Sequence, residues 1–221
     1  MRVAYVCADS GVPVFGTKGC SIHVQEIIRA FLRRGDTVDL FVARVGGDTP
    51  ADLRECGLYQ FPVRQVEDGA GREAALQQNA ARLAEVLPLD QYDLIYERYS
   101  LWSSAAIRRA ATSTSPTVLE VNAPLIQEQQ TYRRLDDVHR ANQIATEAFH
   151  LAGSVVAVST ETAEYVRTVC RDASGFSPNH VHVIPNGVDV NRFRPAKLPE
   201  SDPAEVTIGF VGSLKPWHGV D

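Results

Sequence analysis

Short apolar runs alternate along this chain with longer segments whose apolar positions follow a helical period. The first such segment begins near residue 20 or 21 and ends at the Arg-Arg-Gly of residues 33–35. Its apolar positions recur at the spacing of one helix face: Val24, Ile27, Ile28, Phe31 and Leu32. This pattern predicts an amphipathic helix that lies between the apolar runs at residues 2–7 and 37–43.

The same alternation continues through most of the sequence. Strands are predicted at residues 2–7, 37–43, 58–63, 93–96, 117–121, 154–158 and 180–184. Helices are predicted at residues 20–34, 71–86, 101–111, 125–151 and 160–171. Strands that alternate with helices in units of about 40 residues imply right-handed crossovers between parallel strands. The expected fold class is therefore α/β, with a Rossmann-like, doubly wound, mostly parallel sheet.

A change in composition divides the chain near its end. Residues 1–195 carry the alternating pattern, whereas residues 196–205 are polar, contain two prolines and read as a linker. Residues 206–221 begin with a new apolar run that ends in glycine, like the opening of the chain. We expect them to form the first strand and loop of a second α/β domain that is truncated at residue 221.

The first strand-to-helix corner contains the first candidate site. Glycines at such a corner let backbone N–H groups approach a phosphate or a sugar hydroxyl, and the helix N-terminus adds partial positive charge. Gly16, Lys18 and Gly19 lie in this loop, and His23 follows in the first turn of the helix. The alternative is that the glycines are only turn residues and that His23 is structural.

Polar residues also follow two later strands. Glu97 and Arg98 follow the strand at 93–96, and Glu120 and Asn122 end the strand at 117–121. The carboxyl ends of parallel strands line the ligand crevice of an open α/β sheet, so these residues are candidates for substrate binding. For Glu97 and Arg98 the alternative is an ion pair on the surface.

The net charge, the cysteines and the lengths of the apolar runs limit the kinds of function that the chain can have. The 221 residues have a formal net charge of −5, which gives no electrostatic reason to expect nucleic acid. Four widely spaced cysteines without a C-x-x-C pair favour a reducing cytoplasm over a zinc site. No apolar run is long enough for a signal peptide or a membrane span. Paired arginines leave open a peripheral contact with the inner face of a membrane.

Four motifs together carry a resemblance to a known family. They are Phe15-Gly16-Thr17-Lys18-Gly19 with a helix bearing His23 and Glu26; Glu120-Val121-Asn122-Ala123-Pro124; Pro185-Asn186-Gly187-Val188-Asp189 with Phe193 and Pro195; and Gly209-Phe210-Val211-Gly212-Ser213-Leu214-Lys215-Pro216-Trp217-His218-Gly219. In this order they cover the whole chain. The chain resembles the N-terminal half of a GT-B glycosyltransferase of the retaining family 4 type.

The resemblance implies two Rossmann-like domains with a cleft between them, the N-terminal one for the acceptor and the C-terminal one for the nucleotide-sugar donor. Asn122, in the place of a family histidine, and His23 are the expected catalytic residues. The expected substrate-binding residues are Gly16, Lys18, Gly19, Glu97, Arg98, Glu120, Ser159, Asn186 and Gly187. The expected donor-phosphate residues are Gly212, Ser213, Lys215 and His218, two of which replace the usual arginine and lysine. No metal and no cofactor are expected, because the sequence lacks an Asp-x-Asp motif.

The function expected from the resemblance is retaining, metal-independent transfer of a sugar from a nucleotide-sugar donor to a sugar or lipid acceptor. One alternative is a catalytically incomplete acceptor-binding module that needs a separate donor-domain chain. Another is an unrelated nucleotide-binding enzyme of Rossmann type, which the absence of a G-x-G-x-x-G fingerprint disfavours.

Overall fold

The computed structural model describes residues 1–66, 69–191, 193, 194 and 209. It divides the chain into two units, Met1–Pro185 and Asn186–Asp221. All strands and helices named below belong to the first unit. The predicted linker and second domain, residues 196–205 and 206–221, lie outside the described residues apart from Gly209.

Seven strands and six α-helices alternate in the described part of the first unit. The strands are β1 (Arg2–Cys7), β2 (Thr37–Val42), β3 (Gly57–Gln60), β4 (Leu94–Arg98), β5 (Thr117–Val121), β6 (Ser154–Ala157) and β7 (Val181–Val183). The helices are α1 (Gly19–Arg33), α2 (Gly69–Val86), α3 (Ala105–Ala110), α4 (Leu125–Tyr132), α5 (Val138–Leu151) and α6 (Thr160–Val169). The predicted order of elements is confirmed except over residues 125–151, where one helix was predicted and two are present.

The strands form one parallel sheet in the order β3-β2-β1-β4-β5-β6-β7. The chain builds the sheet outward from β1 to β3, then returns through α2 to place β4 on the other side of β1. The point where the order reverses therefore lies between β1 and β4. In open α/β sheets the crevice beyond the carboxyl ends of the strands at this point is the usual ligand site. The predicted α/β fold class is confirmed.

Alternate residues of the strands pack against different helices. On β1, Val3, Tyr5 and Cys7 join a core with α1, whereas Ala4 and Val6 join a core with α2 and α3. This division follows from the two-residue period of a strand. Residues paired across neighbouring strands point to the same face of the sheet. The register therefore determines on which face each polar residue at the strand ends lies.

The helix predicted over residues 125–151 is wrong as one element, since the structure contains two helices, α4 and α5. The break follows from a tertiary contact and a cap. The buried Glu73 carboxylate accepts the backbone N–H groups of Asp136 and Asp137, at 2.9 and 3.1 Å. The Asp137 side chain then accepts the backbone N–H of Arg140 at 2.8 Å and starts α5.

The core beneath α5 supplies a test of the packing. The Phe149 side chain is fully buried and its ring contacts those of Tyr99 and Tyr165. We expect Phe149→Ala to lower the free energy of unfolding by about 3–5 kcal/mol, because it removes a large apolar side chain and leaves a cavity. Urea unfolding followed by circular dichroism measures this. The control is Val86→Ala, at an exposed position, which should change the free energy of unfolding by no more than about 0.5 kcal/mol. Equal losses of stability in the two variants would contradict the packing described.

Candidate active site

A cleft of about 460 Å³ lies at the carboxyl edge of the sheet, where the strand order reverses. The loop after β1 lines it with residues 8–12, and the end of β4 and the segment that follows line it with Arg98 and residues 100–102. The first turn of α1, the part of α2 from Gly69 to Ala80, the start of α4 and the α4–α5 connection supply the remaining walls. A wider groove along α5 lies away from the strand ends, so the cleft is the candidate active site.

The Glu120 carboxylate is the centre of a polar cluster next to this cleft. Its Oε1 atom lies 2.7 Å from Nε2 of His23 and 3.1 Å from Nη1 of Arg98, and it also accepts from the Asn122 side-chain amide. Its Oε2 atom accepts from the Tyr96 hydroxyl. The Glu120 residue is 1% exposed, so these four donors replace the water that the carboxylate loses. We call these five side chains the Glu120 cluster.

The donors hold Glu120 in its ionised form. Burial alone would raise the pKa of Glu120, but the hydrogen bonds from His23, Asn122 and Tyr96 outweigh it and hold the pKa below the ordinary value. An ionised carboxylate only accepts hydrogen bonds, so His23 must donate through Nε2–H. That requirement leaves Nδ1 of a neutral His23 ring as an acceptor.

Glu97 lies one residue before Arg98 and on the opposite face of the sheet. It is fully buried; the Ser103 hydroxyl donates to its Oε1 at 2.7 Å, while Oε2 has no hydrogen-bond partner in the described part of the chain. Burial raises the pKa of Glu97 to about 7, although the hydrogen bonds from the Ser103 side chain and the Ile107 backbone work against this rise. The alternative of a surface ion pair between Glu97 and Arg98 is wrong, because both residues are buried and they occupy different faces.

The loop after β1 divides into a packed part and an open part. The backbone N–H groups of Val14 and Phe15 donate to the carbonyls of Arg44 and Val45, and buried Gln25 donates to the carbonyls of Val14 and Gly16. A Cβ atom at Gly16 would lie 2.9 Å from the Pro13 ring. This part of the loop is therefore fixed by packing, whereas the cleft is lined by residues 8–12 and Cys20.

The other predicted site residues lie in several places. Lys18 and Gly19 are exposed at the start of α1, and the Ser159 hydroxyl accepts the backbone N–H of Thr162 as the cap of α6. Asn186 and Gly187 belong to the second unit. Four predicted donor-phosphate residues lie outside the described residues: Gly212, Ser213, Lys215 and His218. The roles assigned to all of these residues stay predictions.

Sequence reasoning missed Tyr96 and Arg72. Tyr96 lies two residues before Arg98 on β4, so the two-residue period places both on one face, and the parallel register puts Arg98 beside Glu120. That signal was available in the sequence. Arg72 reaches the cleft from α2, which no periodicity in the sequence indicates.

The fold is shared with solved glycosyltransferase structures. A sucrose-phosphate synthase from Thermosynechococcus elongatus aligns with a TM-score of 0.65 at 15% identity, covering 88% of this chain and 50% of that one. UGT89C1 from Arabidopsis thaliana, solved with UDP-L-rhamnose, aligns with a TM-score of 0.56 at 16% identity over 90% of this chain and 55% of that one. The class that the fold defines is thus the Rossmann-like α/β domain of GT-B glycosyltransferases.

The sequence comparison identifies the family. The profile of glycosyltransferase family 4 matches residues 17–192, so the chain belongs to that family. It is 27% identical to a D-inositol 3-phosphate glycosyltransferase from Geodermatophilus obscurus, over 92% of this chain and 48% of that protein. A protein of the same name from Acidothermus cellulolyticus is 25% identical, over 97% of this chain and 49% of that protein. The chain therefore spans about half the length of these relatives.

Two features are absent from the described ranges, a membrane-spanning helix and a cluster of metal ligands. None of the helices there is both long and apolar enough to cross a lipid bilayer. No three histidine, cysteine or acidic side chains there come together in an arrangement suited to a metal ion.

The buried Glu97 predicts a pH dependence of stability. Its folded-state pKa of about 7 exceeds the ordinary 4.5, so the folded state binds more protons between these pH values, and the contribution of Glu97 to stability falls as pH rises through them. Above pH 7, where Glu97 is ionised in both states, its burial lowers the free energy of unfolding by about 3 kcal/mol relative to low pH. We expect Glu97→Gln to remove this decline, measured as urea unfolding midpoints from pH 4 to 8. A variant with the same pH profile as the natural protein would contradict this account.

The two loop glycines differ in their surroundings, which predicts different costs of substitution. Gly16→Ala should lower the free energy of unfolding by about 1–3 kcal/mol, because its Cβ would press on Pro13 and Ser21. Gly19→Ala meets no atom within 4 Å and begins a helix, so its stability should be unchanged or slightly higher. Thermal unfolding of both variants measures the difference. A fully stable Gly16→Ala protein would argue against the packing role of Gly16.

Proposed function

We propose that this chain is the acceptor-side domain of a glycosyltransferase that moves a sugar from a nucleotide-sugar donor to an acceptor bound in the cleft. The position of the cleft carries the proposal: it opens at the carboxyl edge where the strand order reverses, with Arg98 and the 8–12 loop in its wall. Membership of glycosyltransferase family 4 supports sugar transfer as the reaction.

The residues of the cleft favour a hydroxyl-rich acceptor that carries an anionic group. Arg72 and Arg98 line the cleft, and several carboxylates in its wall already have partners. Glu73 accepts two backbone N–H groups, and Asp136 pairs with Arg134. Arginine is suited to bind phosphate through several N–H groups. The relatives named as D-inositol 3-phosphate glycosyltransferases support a phosphorylated polyol as the acceptor.

The proposal assigns catalytic contacts to His23 and Asn122. Both hydrogen-bond to Glu120 and so lie together beside the strand ends. Glycosyl transfer needs stabilisation of positive charge on the sugar and of the leaving diphosphate. We propose that the transfer retains the anomeric configuration without a metal ion, with helix N-termini and cationic side chains neutralising the diphosphate. The donor itself would bind mainly to residues beyond the first unit.

Binding experiments on the 221-residue chain test the proposal. D-inositol 3-phosphate should perturb the NMR signals of residues 8–12 and 98–102, whereas UDP-glucose and GDP-mannose should bind weakly, because most donor contacts are assigned elsewhere. Release of nucleoside diphosphate from any of these donors would show that the chain is active alone. Tight binding of a nucleotide sugar, together with no NMR perturbation by D-inositol 3-phosphate, would contradict the assignment of this domain to the acceptor.

A matched pair of arginine variants locates the acceptor. Arg72 lines the cleft, whereas Arg82 lies on the same helix and does not; both are exposed. We expect Arg72→Gln to weaken D-inositol 3-phosphate binding roughly two- to fivefold, the effect of one exposed charge pair of up to about 1 kcal/mol. Arg82→Gln, which changes net charge equally, should bind as the natural protein does. Isothermal titration calorimetry measures both, and equal losses would place the phosphate outside the cleft.

A further inference from the structure

The Glu120 cluster joins three separate parts of the fold at one carboxylate. His23 comes from α1, Tyr96 and Arg98 come from β4, and Asn122 follows β5. Three of the four donors converge on one oxygen atom, Oε1. Because the carboxylate is almost fully buried, it cannot turn toward water to exchange these partners.

Two of the donors have nitrogen atoms that this carboxylate does not use. Arg98 commits Nη1 to Glu120, and Arg98 is also one of the residues that line the cleft. His23 commits Nε2; its side chain is 15% exposed and lies one turn from Cys20, a residue of the cleft wall, but His23 is not itself among the residues that line the cleft. Holding one end of each side chain fixes the direction in which the other end points.

We propose that Glu120 is a positioning residue: its buried carboxylate fixes the Nε2–H tautomer of His23 and the direction of the Arg98 guanidinium, so that Arg98 presents its remaining nitrogen atoms to the acceptor in the cleft. This inference rests on the proposed function, since the acceptor is assigned to that cleft. It assigns Glu120 no contact with the acceptor. The chemistry recognised is an anionic group at Arg98.

A second carboxylate in the molecule provides a matched control. Asp39 on β2 accepts from the Arg2 guanidinium at 2.8 and 3.1 Å and from the Tyr92 hydroxyl at 2.8 Å. It thus holds one arginine and one tyrosine, as Glu120 does, but outside the walls of the cleft. Asp39→Asn therefore shows how the loss of a carboxylate that binds an arginine and a tyrosine outside the cleft affects folding and ligand binding.

The test compares Glu120→Gln with Asp39→Asn in the 221-residue chain. Long-range ¹H–¹⁵N NMR should show one His23 tautomer, protonated at Nε2, in the natural protein and in Asp39→Asn. In Glu120→Gln we expect both tautomers and a broadened Arg98 Nε–H signal. Binding of D-inositol 3-phosphate, measured by calorimetry, should weaken at least about tenfold in Glu120→Gln only, as expected for a lost charge-assisted contact.

The outcomes separate this inference from the proposed function. An unchanged His23 tautomer, or unchanged binding, in folded Glu120→Gln would overturn the positioning role. If the natural protein does not bind D-inositol 3-phosphate, the proposed acceptor fails, while the tautomer measurement still decides whether Glu120 positions His23. If Glu120→Gln does not fold, Glu120→Asp takes its place, because the shorter side chain keeps the charge but withdraws it from His23.

Discussion

The buried negative charge of Glu120 is the constraint on which the arrangement at the strand ends depends. Removing a carboxylate from water costs several kcal/mol unless donors replace the water, and here four donors do so. One comes from α1, so the first turn of that helix must lie close to β5. The same charge therefore ties the helix to the sheet and sets the direction of Arg98 at the cleft.

Glu97 and Glu120 show how position alone gives one residue type two different properties. They lie at the ends of neighbouring strands and both are buried, but on opposite faces of the sheet. Glu120 faces an arginine, a histidine, an amide and a hydroxyl, and the hydrogen bonds from His23, Asn122 and Tyr96 keep its pKa low. Glu97 has only the Ser103 hydroxyl and the Ile107 backbone opposing its burial, so burial prevails and its pKa rises. Ionised Glu120 can organise cationic neighbours, whereas Glu97 holds its proton near neutral pH.

The topology of the sheet determines where the cleft lies, and the segments that connect strands and helices form much of its wall. The reversal of strand order between β1 and β4 separates the connections that leave the sheet there and opens a space at its carboxyl edge. Glu73 then fixes the connection between α4 and α5 as one wall of this space, by accepting two of its backbone N–H groups. The glycine-containing loop contributes through residues 8–12, while Gly16 serves the packing beneath it.

The sequence by itself determined the α/β class, the order of the strands and helices, and the presence of Glu97, Arg98 and Glu120 at strand ends, because apolar periodicity and chain order are local properties. Strand alternation could also have placed Tyr96 with Arg98. The sequence could not determine the contact of His23 with Glu120, since that depends on how α1 crosses the sheet, nor the break before α5, which a distant carboxylate stabilises. Only the tertiary structure decided which buried carboxylate is ionised, because that depends on donors brought together from separate elements.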